Sequence, residues 1–592
     1  MSGAIVVAPP KLWKYLLGAL VALLILIPLW TLFVMTVLQP ESLEMQEQTM
    51  SSRLLWWIAG PVAAVALFFG ARWMMASNQP QAKDSSAQMR QATASDQSRR
   101  EYVLEVIGLG VTLDKYRQGK LWEALKKGSP YVTIREQDKE KYPYTELDKD
   151  GLSGGRGGDS LENGAKYTPM YFGVPVFNAE PPVFNSKIVD KPDKPRSGLA
   201  SGAVSSGMAW HLFVTGPRKF AERPDRILDD VFAFFDANPD VPYIVLNSDD
   251  GMASRSMYRP DGTPTLLRDG KYIPEMPDAS TLFVLARRER VDPVRPFAWD
   301  DPDNEYVQNI FRWMYGELME AVPHPEREKI LRTPAQVGAD PVRHESSDPA
   351  QRMPLVSEWL EAAAAFARRP DVRGAGAVNV LNGINPWAHR PPKEWKPTPW
   401  FPIPWNKDQL ATFDKLPTMG FIHRPTFVKF SDEHGKPLTR RDEREKALQA
   451  GWQAALLTLP EAERRKAPAR IVAATGGNSD QLIALHSTLD AYAAQGGPEF
   501  DHAKSDQFID TDKRLGNTGA TTLFMQMAIG VMGSYRDGGV SAAVNLRDTN
   551  EASIVFISPP SDDKRKTQTH ALGGDVLGHH GTPAIDPANY EQ

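Results

Sequence analysis

The 592-residue chain contains no cysteine. That zero excludes disulfides, zinc–thiolate and iron–sulfur sites, and any cysteine nucleophile. Histidine is scarce as well: the 11 residues include no H-E-x-x-H and no H-x-x-x-H pair, so a histidine-based metal site has no local support. No Walker loop, dinucleotide glycine motif or kinase signature occurs. Nor is there an excess of one charge. Lys+Arg is 68 against Asp+Glu 73, a formal charge of −5, which asks for no polyanionic partner and leaves nucleic acid unexpected. Hydrophobic residues at 42% and charged residues at 24% exclude a wholly disordered chain, and the length calls for two or more packed units.

What is present begins with two apolar runs. Tyr15 to Leu38 is almost wholly apolar around Pro28, and at ~1.5 Å rise per residue it can cross ~30 Å of hydrocarbon. A cleaved signal peptide is the rival, since Lys11 and Lys14 precede the run, but the run is longer than a signal core and no small-x-small site follows. Leu54 to Met75 is again apolar, with Trp56, Trp57 and Trp73 near its ends, where amphipathic rings favour the headgroup layer. Gly60 and Pro61 fall in its first turns and are tolerable there. The expectation is an N-terminal two-helix transmembrane hairpin over 1–76, with spans about 15–38 and 54–75; a pair of buried core helices is the alternative. The intervening loop Gln39–Ser52 has no Lys or Arg, whereas Lys11 and Lys14 stand before the first span and Arg72, Lys83, Arg90, Arg99 and Arg100 at or after the second. Positive charge stays inside, which puts both ends in the cytoplasm.

Residues 77–100 are Ser, Gln, Asp and Ala without apolar period, a flexible linker. Tyr102–Leu109 reads as a buried strand and Lys120–Lys127 as a short amphipathic helix closed by Gly128. Residues 150–164 (DGLSGGRGGDSLENG) read as a glycine-rich loop, and 172–186 as irregular or edge strands. Asp225–Asn238 is an amphipathic helix followed by the strand Val241–Leu246; Thr281–Ala286 is another strand, and Leu355–Arg368 an alanine-rich helix. Residues 385–405, dense in Pro and Trp, cannot pair in a ladder and read as a covering loop. Then follow a helix (Arg441–Leu457), a strand (Ala469–Ala474), two helices (Leu482–Gln495, Thr521–Met532) and a strand (Ala552–Ile557). The division expected is 101–380 for a first α/β half with insertions, 381–560 for a second, and 561–592 for a polar, frayed tail.

Few motifs carry chemistry. Gly151-Leu152-Ser153-Gly154-Gly155 matches the G-x-S-x-G elbow of hydrolases, but no buried strand precedes it and more glycine follows, so a plain loop is the ordinary reading. Asp148-Lys149-Asp150-Gly151 begins like a calcium loop, yet position 157 is Gly where a bidentate Glu is needed. Thr475-Gly476-Gly477-Asn478 either presents backbone N–H groups to an anion at a helix start or is a simple strand–helix turn. His423 and Arg424 are the best-placed residues for a functional role, against the simpler reading of a hydrogen-bonded structural histidine.

Ile107-Gly108-Leu109-Gly110-Val111-Thr112, followed by Leu121-Trp122-Glu123-Ala124-Leu125 and Gly128-Ser129, resembles the opening of the β-ketoacyl synthases, and Gly516-Asn517-Thr518-Gly519-Ala520 resembles their closing region. The resemblance implies an α/β, thiolase-like fold of duplicated α-β-α-β-α layers. It also shows what is missing. Condensing enzymes use a Cys thiolate and two His residues. This chain has no Cys, Asn517 stands where the G-H-T-G-A motif has His, and Ala474-Thr475-Gly476-Gly477 matches H-G-T-G without its His. Thr475 and Asn517 are thus degenerate cleft positions, and Asn is no base near neutral pH. The soluble part as a whole, above all 102–125, 172–187, 411–437 and 514–559, resembles the bacterial type VI lipase adapter family. That resemblance implies a non-catalytic adapter, without cofactor or metal, at the bacterial inner membrane with its soluble part in the cytoplasm. It implies a secreted lipase effector and a type VI spike protein as partners, and the two N-terminal apolar runs add the lipid bilayer. Trp387, Trp395, Trp400 and Trp405 are its interface candidates, as rigid aromatic area of the kind that dominates hot spots; the same residues could equally lock a loop onto the core. The alternative function is an acyl-group-binding or acyl-transfer enzyme using a remodelled ketosynthase-like cleft.

Overall fold

One strand pattern occurs twice in the computed structural model, which describes residues 103–580 apart from 170–173, 180, 182–195, 200–211, 216–222, 259–261, 263–264, 301–393, 397, 399 and 402–403. The first half holds β1 (Val103–Leu113), the short β2 (Tyr116–Arg117), β3 (Val174–Ala179), β4 (Arg196–Leu199), β5 (Leu212–Thr215), β6 (Tyr243–Asp250) and β7 (Ala279–Ala286). The second holds β8 (Gly420–His423), β9 (Thr426–Lys429), β10 (Arg470–Ala474), β11 (Phe508–Asp510), β12 (Ser541–Asn545) and β13 (Glu551–Ser558). Along the mixed sheet the second half runs β11-β10-β12-β13-β8 and the first, counted inward from the strand next to its edge strand β4, β5-β3-β6-β7-β1. In both, the first three strands are parallel and the fourth is antiparallel to its neighbours on either side. The halves meet where β1 and β8 pair antiparallel, Val103 with His423 through Val106 with Gly420.

The helices that matter are α1 (Gly119–Lys127), α2 (Glu146–Ala165), α3 (Ile227–Ala237), α4 (Met252–Tyr258), α5 (Lys407–Lys415), α6 (Arg441–Leu456), α7 (Ser479–Ala494), α8 (Thr522–Asp537) and α9 (Asp562–Thr567). Side-chain alternation places them in layers, because successive residues of a strand face opposite sides. Ile471, Ala473, Ala542, Val544, Ile554 and Phe556 share a core with Trp452 of α6 and Leu485 of α7. The residues between them, Val472, Ala543, Val555 and Ile557, share the other core with Phe524 and Val531 of α8. In the first half Ser280 of β7 meets Ser160 of α2. Ser248, the register partner of Thr281, reaches Thr521 at the head of α8 from the opposite face. Helix α3 touches both halves: Phe234 lies edge-on to Phe177 of β3, and Asp225 just ahead of α3 accepts from Ser553 of β13 at 2.7 Å. The layers therefore run α2, first half-sheet, α3 with α8, second half-sheet, α6 with α7. That central position explains why every residue of α8 from Thr522 to Tyr535 is buried.

The largest correction concerns residues 150–164, expected as a loop: they lie inside α2. Thr145 caps the helix, its hydroxyl accepting from the Asp148 N–H at 3.1 Å. Interior glycines each cost a helix about 1 kcal/mol relative to alanine, so this one stands on tertiary contact. Lys149, Ser153, Arg156, Ser160 and Gly164 recur at spacings of three and four and form its buried face. A Cβ on Gly110 would lie 1.7 Å from the Ser160 carbonyl oxygen, and one on Gly108 2.1 Å from that of Gly164. Strand and helix backbones touch because the strand carries no side chain at Gly108 or Gly110, and the helix none at Gly164. Ser153 of the elbow motif sits in mid-helix, donating to Asp278 Oδ1 at 2.9 Å and accepting from the Ala253 N–H at 3.1 Å.

The tail is a second correction. Gln568 accepts from the Thr418 N–H at 3.0 Å and donates to the Thr418 carbonyl at 2.6 Å. The Gly119 N–H donates to the Leu577 carbonyl at 3.0 Å, and the His580 N–H to Asn163 Oδ1 at 2.7 Å. Val576 and Leu577 are buried. Residues 561–580 form a strap across both halves; two apolar residues in a polar stretch are too short a run to show as periodicity. The expected hairpin over 1–76, the linker 77–100 and the helix Leu355–Arg368 lie outside the described residues, among which no helix is long and apolar enough to cross a membrane.

Candidate functional site

In open α/β sheets the crevice beyond the carboxyl ends of the parallel strands is the usual ligand site. Here β6, β10 and β12 end toward one region with Asp250, Thr475 and Arg547, and Asp512 follows just beyond β11. Asp250 Oδ2 accepts from the Ala520 N–H at 2.6 Å and from Arg255 Nη2 at 2.6 Å. Gly519, at φ +55°, makes this approach possible: a Cβ there would stand 1.8 Å from Arg255 Nη2 and 2.0 Å from Asp250 Oδ2. Arg547 Nη1 donates to the Thr522 hydroxyl at 2.7 Å, and Asn517 Oδ1 accepts from the Gly519 N–H at 2.9 Å.

The turn after β10 does present N–H groups to an anion, and that anion belongs to the chain. Asp512 Oδ2 accepts from Thr475 N at 2.6 Å and Gly476 N at 2.8 Å, while Asn478 caps α7 by accepting from Asp480 N at 3.0 Å. Burial pushes the Asp250 carboxyl up, opposed by Arg255, and pushes the Arg547 guanidinium down, opposed by Asp512. The crevice therefore holds two carboxylates and two guanidinium groups whose charges cancel. Thr475 is buried and Asn517 exposed. Thr475 is held by Asp512, and Asn517 by Gly519 beside Asp250, but neither can act as a base near neutral pH. Among the described residues no group of three or more His, Asp or Glu is placed to hold a metal ion.

Sequence reasoning missed Asp250, Arg255, Asp512 and Arg547. Asp250 had a signal, since it closes the apolar strand that ends Asn247-Ser248-Asp249-Asp250 before Gly251. Asp512 had none, because β11 spans three residues.

His423 is a structural histidine. It is fully buried, with Nδ1 at 2.8 Å from the Thr458 carbonyl and Nε2 at 2.8 Å from the Ser558 hydroxyl. Burial pushes its pKa down to about 4. The unfolded chain, near ~6.5, binds the proton first as pH falls. The stabilisation is complete above pH ~6.5 and is lost as pH drops toward 4, up to about 3 kcal/mol. His423→Gln is expected to flatten the stability–pH curve between pH 6.5 and 4, measured by urea unfolding; an unchanged slope would count against this assignment.

Three of the tryptophan interface candidates turn inward, a correction to their reading as a docking face. Trp395, Trp400 and Trp405 are 8, 2 and 1% exposed. The Trp400 indole donates to Asn238 at the end of α3, and Trp405 packs on Phe413 of α5 with centroids 5.1 Å apart. They fasten the covering loop to the core, and Trp387 lies outside the described residues. Exposed aromatic area sits instead on Tyr131 and Tyr144, between β2 and α2.

A duplicated α/β scaffold, with a crevice filled by its own paired charges, is the class of protein that fold and site define. Comparison with known families is specific. The model of the type VI lipase adapter protein Tla3, N-terminal, matches residues 102–269, and that of its C-terminal part matches 419–559; together they take in more than half of the chain. The chain belongs to the type VI lipase adapter family. Among solved structures it is similar to the ishigamide ketosynthase/chain length factor (10% identity, 78% of this chain, 100% of that chain, TM-score 0.35). It is also similar to 3-oxoacyl-(acyl carrier protein) synthase III of Pseudomonas aeruginosa PAO1 (11%, 78%, 99%, 0.30) and to human mitochondrial 3-ketoacyl-CoA thiolase (10%, 78%, 99%, 0.31). Scores this low add nothing to the duplication read from the sheet itself.

Proposed function

We propose that the chain is a non-catalytic adapter that binds a phospholipase effector and helps load it onto the spike of the type VI secretion system. The family supports the lipase as partner. The observation that carries the non-catalytic part is Asp512, which occupies the N–H nest of Thr475 and Gly476 where a ligand's anion would otherwise sit. In this reading the repeated half-sheets are a thiolase-like fold reused for binding. The apolar runs Tyr15–Leu38 and Leu54–Met75 anchor the protein in the bacterial inner membrane, with the soluble part in the cytoplasm, and raise the effective concentration of membrane-bound partners.

Two measurements test the proposal. The full-length protein should co-purify with the lipase encoded beside it, and deleting it should abolish secretion of that lipase; no complex and unchanged secretion would defeat the adapter role. Thr475→Ala and Asn517→Ala should leave lipase capture unchanged. Incubation with acyl thioesters should leave the intact mass unaltered, and an adduct on either residue would favour the acyl-transfer alternative.

A further inference from the structure

A cleft of about 540 Å³ opens beside the first residues of β1, between the segment 414–418 that leads from α5 into β8 and the strap residues 564–573. It is remote from the crevice above: Glu105 lies by the cleft, and nine residues of β1 and its turn, roughly 30 Å at ~3.3 Å per residue, lead on to Asp114 beside Asp278, whose neighbour Ala279 pairs with Asp250 of the crevice. Its walls are polar, but most of that polarity is committed. Arg288 pairs with Glu105 at 2.7 Å, and the Thr418 hydroxyl donates to the same carboxylate at 2.6 Å. Asp414 is held by two 2.7 Å hydrogen bonds from Arg295. Gln568 is used by the Thr418 backbone. His570, pushed down to about 4 by burial and then by His580, is neutral at physiological pH.

Two charges are left over, one on each wall. Among the described residues neither Lys415 nor Lys564 has a carboxylate partner, and the Lys564 ammonium makes one contact, with the Thr418 hydroxyl at 3.2 Å. Both lysines line the cleft and are exposed, so their ammonium groups can reach one bound dianion from its two sides. The volume is several times that of a bare phosphate, so the dianion has room for a small organic body.

We propose that this cleft binds a phosphomonoester, its phosphate held between Lys415 of the body and Lys564 of the strap. The phosphate chemistry is shared by a free phosphorylated metabolite and by the headgroup of phosphatidic acid. Bound there, it would fasten the strap to the second half.

Titration calorimetry of the full-length protein with glycerol 3-phosphate, against glycerol as the uncharged control, tests the assignment. Glycerol 3-phosphate should bind one per chain and glycerol should not. Lys415→Gln with Lys564→Gln should weaken binding at least tenfold, whereas Lys415→Arg with Lys564→Arg should retain it. Both lysines are exposed, so the variants should keep the parent's melting temperature in the absence of ligand. Dihexanoyl phosphatidic acid separates the two sources: tighter, competitive binding assigns a lipid headgroup, and weaker or no binding assigns a soluble metabolite. Glycerol 3-phosphate binding no better than glycerol, or binding indifferent to the two glutamines, overturns the proposal.

Discussion

Gly110→Ala should destabilise the protein by about 3 kcal/mol or more, while Gly154→Ala, less than fifty residues away, should stabilise it by about 0.5–1 kcal/mol. The same chemical change has opposite signs because the two positions face different things. At Gly110 the new methyl meets the Ser160 backbone carbonyl at 1.7 Å, and no rotamer change relieves a clash with backbone. Strand β1 would have to part from α2 along a line that also includes Gly108 against Gly164. At Gly154 nothing lies within 4 Å of the added methyl, and alanine reduces the entropy lost when the helix forms. Urea-unfolding midpoints of the two variants check this pair. If Gly154→Ala were destabilising, residues 150–158 could not be helical as described.

Asp278→Ala should be the other severe change, costing about 3–5 kcal/mol. The Asp278 carboxylate is an ion-pair partner of Arg156 and accepts from the Ser153 hydroxyl at 2.9 Å and the Met252 N–H at 2.6 Å. Its backbone exchanges hydrogen bonds with Asp114, the N–H donating to Asp114 Oδ1 at 3.0 Å and the carbonyl accepting from the Asp114 N–H at 2.9 Å. One residue thus ties together α2, α4 and the turn after β1. Removing the carboxylate takes the ion-pair partner from the buried Arg156 guanidinium and the acceptor from the Ser153 hydroxyl and the Met252 N–H. Glu123→Ala, which breaks an exposed pair with Lys120, should leave the midpoint where it is. A small loss in Asp278→Ala would mean that water reaches Arg156. Replacing both members, Arg156→Met with Asp278→Leu, should recover part of the loss, since the buried charge is then removed together with its partner.

The sequence showed the elements whose apolar pattern is long and self-contained: β1, α3, β6, β7, α6, β10, α7, α8 and β13 all fall within a few residues of their expected places. It hid those whose stability comes from elsewhere. Helix α2 looks like a loop because it is rich in glycine, and it stands on the packing of Ser160 and Gly164 against Gly110 and Gly108, a relation between residues some fifty apart that no local period reveals. Strands β8, β9 and β11 are three or four residues long, too short to display alternation. The crevice was half visible. Thr475 and Asn517 follow from motif comparison, whereas Asp512 and Arg255 enter through loop and helix geometry. The tryptophans of 395–405 stand out by residue type, but type does not say which way a ring faces, and burial against Phe297, Phe234 and Phe413 decided it.

The strap has a bearing on synthesis. Gly119, near the beginning of the described body, takes its acceptor from Leu577, so α1 lacks that support while translation of the intervening residues proceeds. Both half-sheets can assemble as they leave the ribosome, but this last hydrogen bond and the burial of Val576 must wait until residue 577 has cleared the exit tunnel.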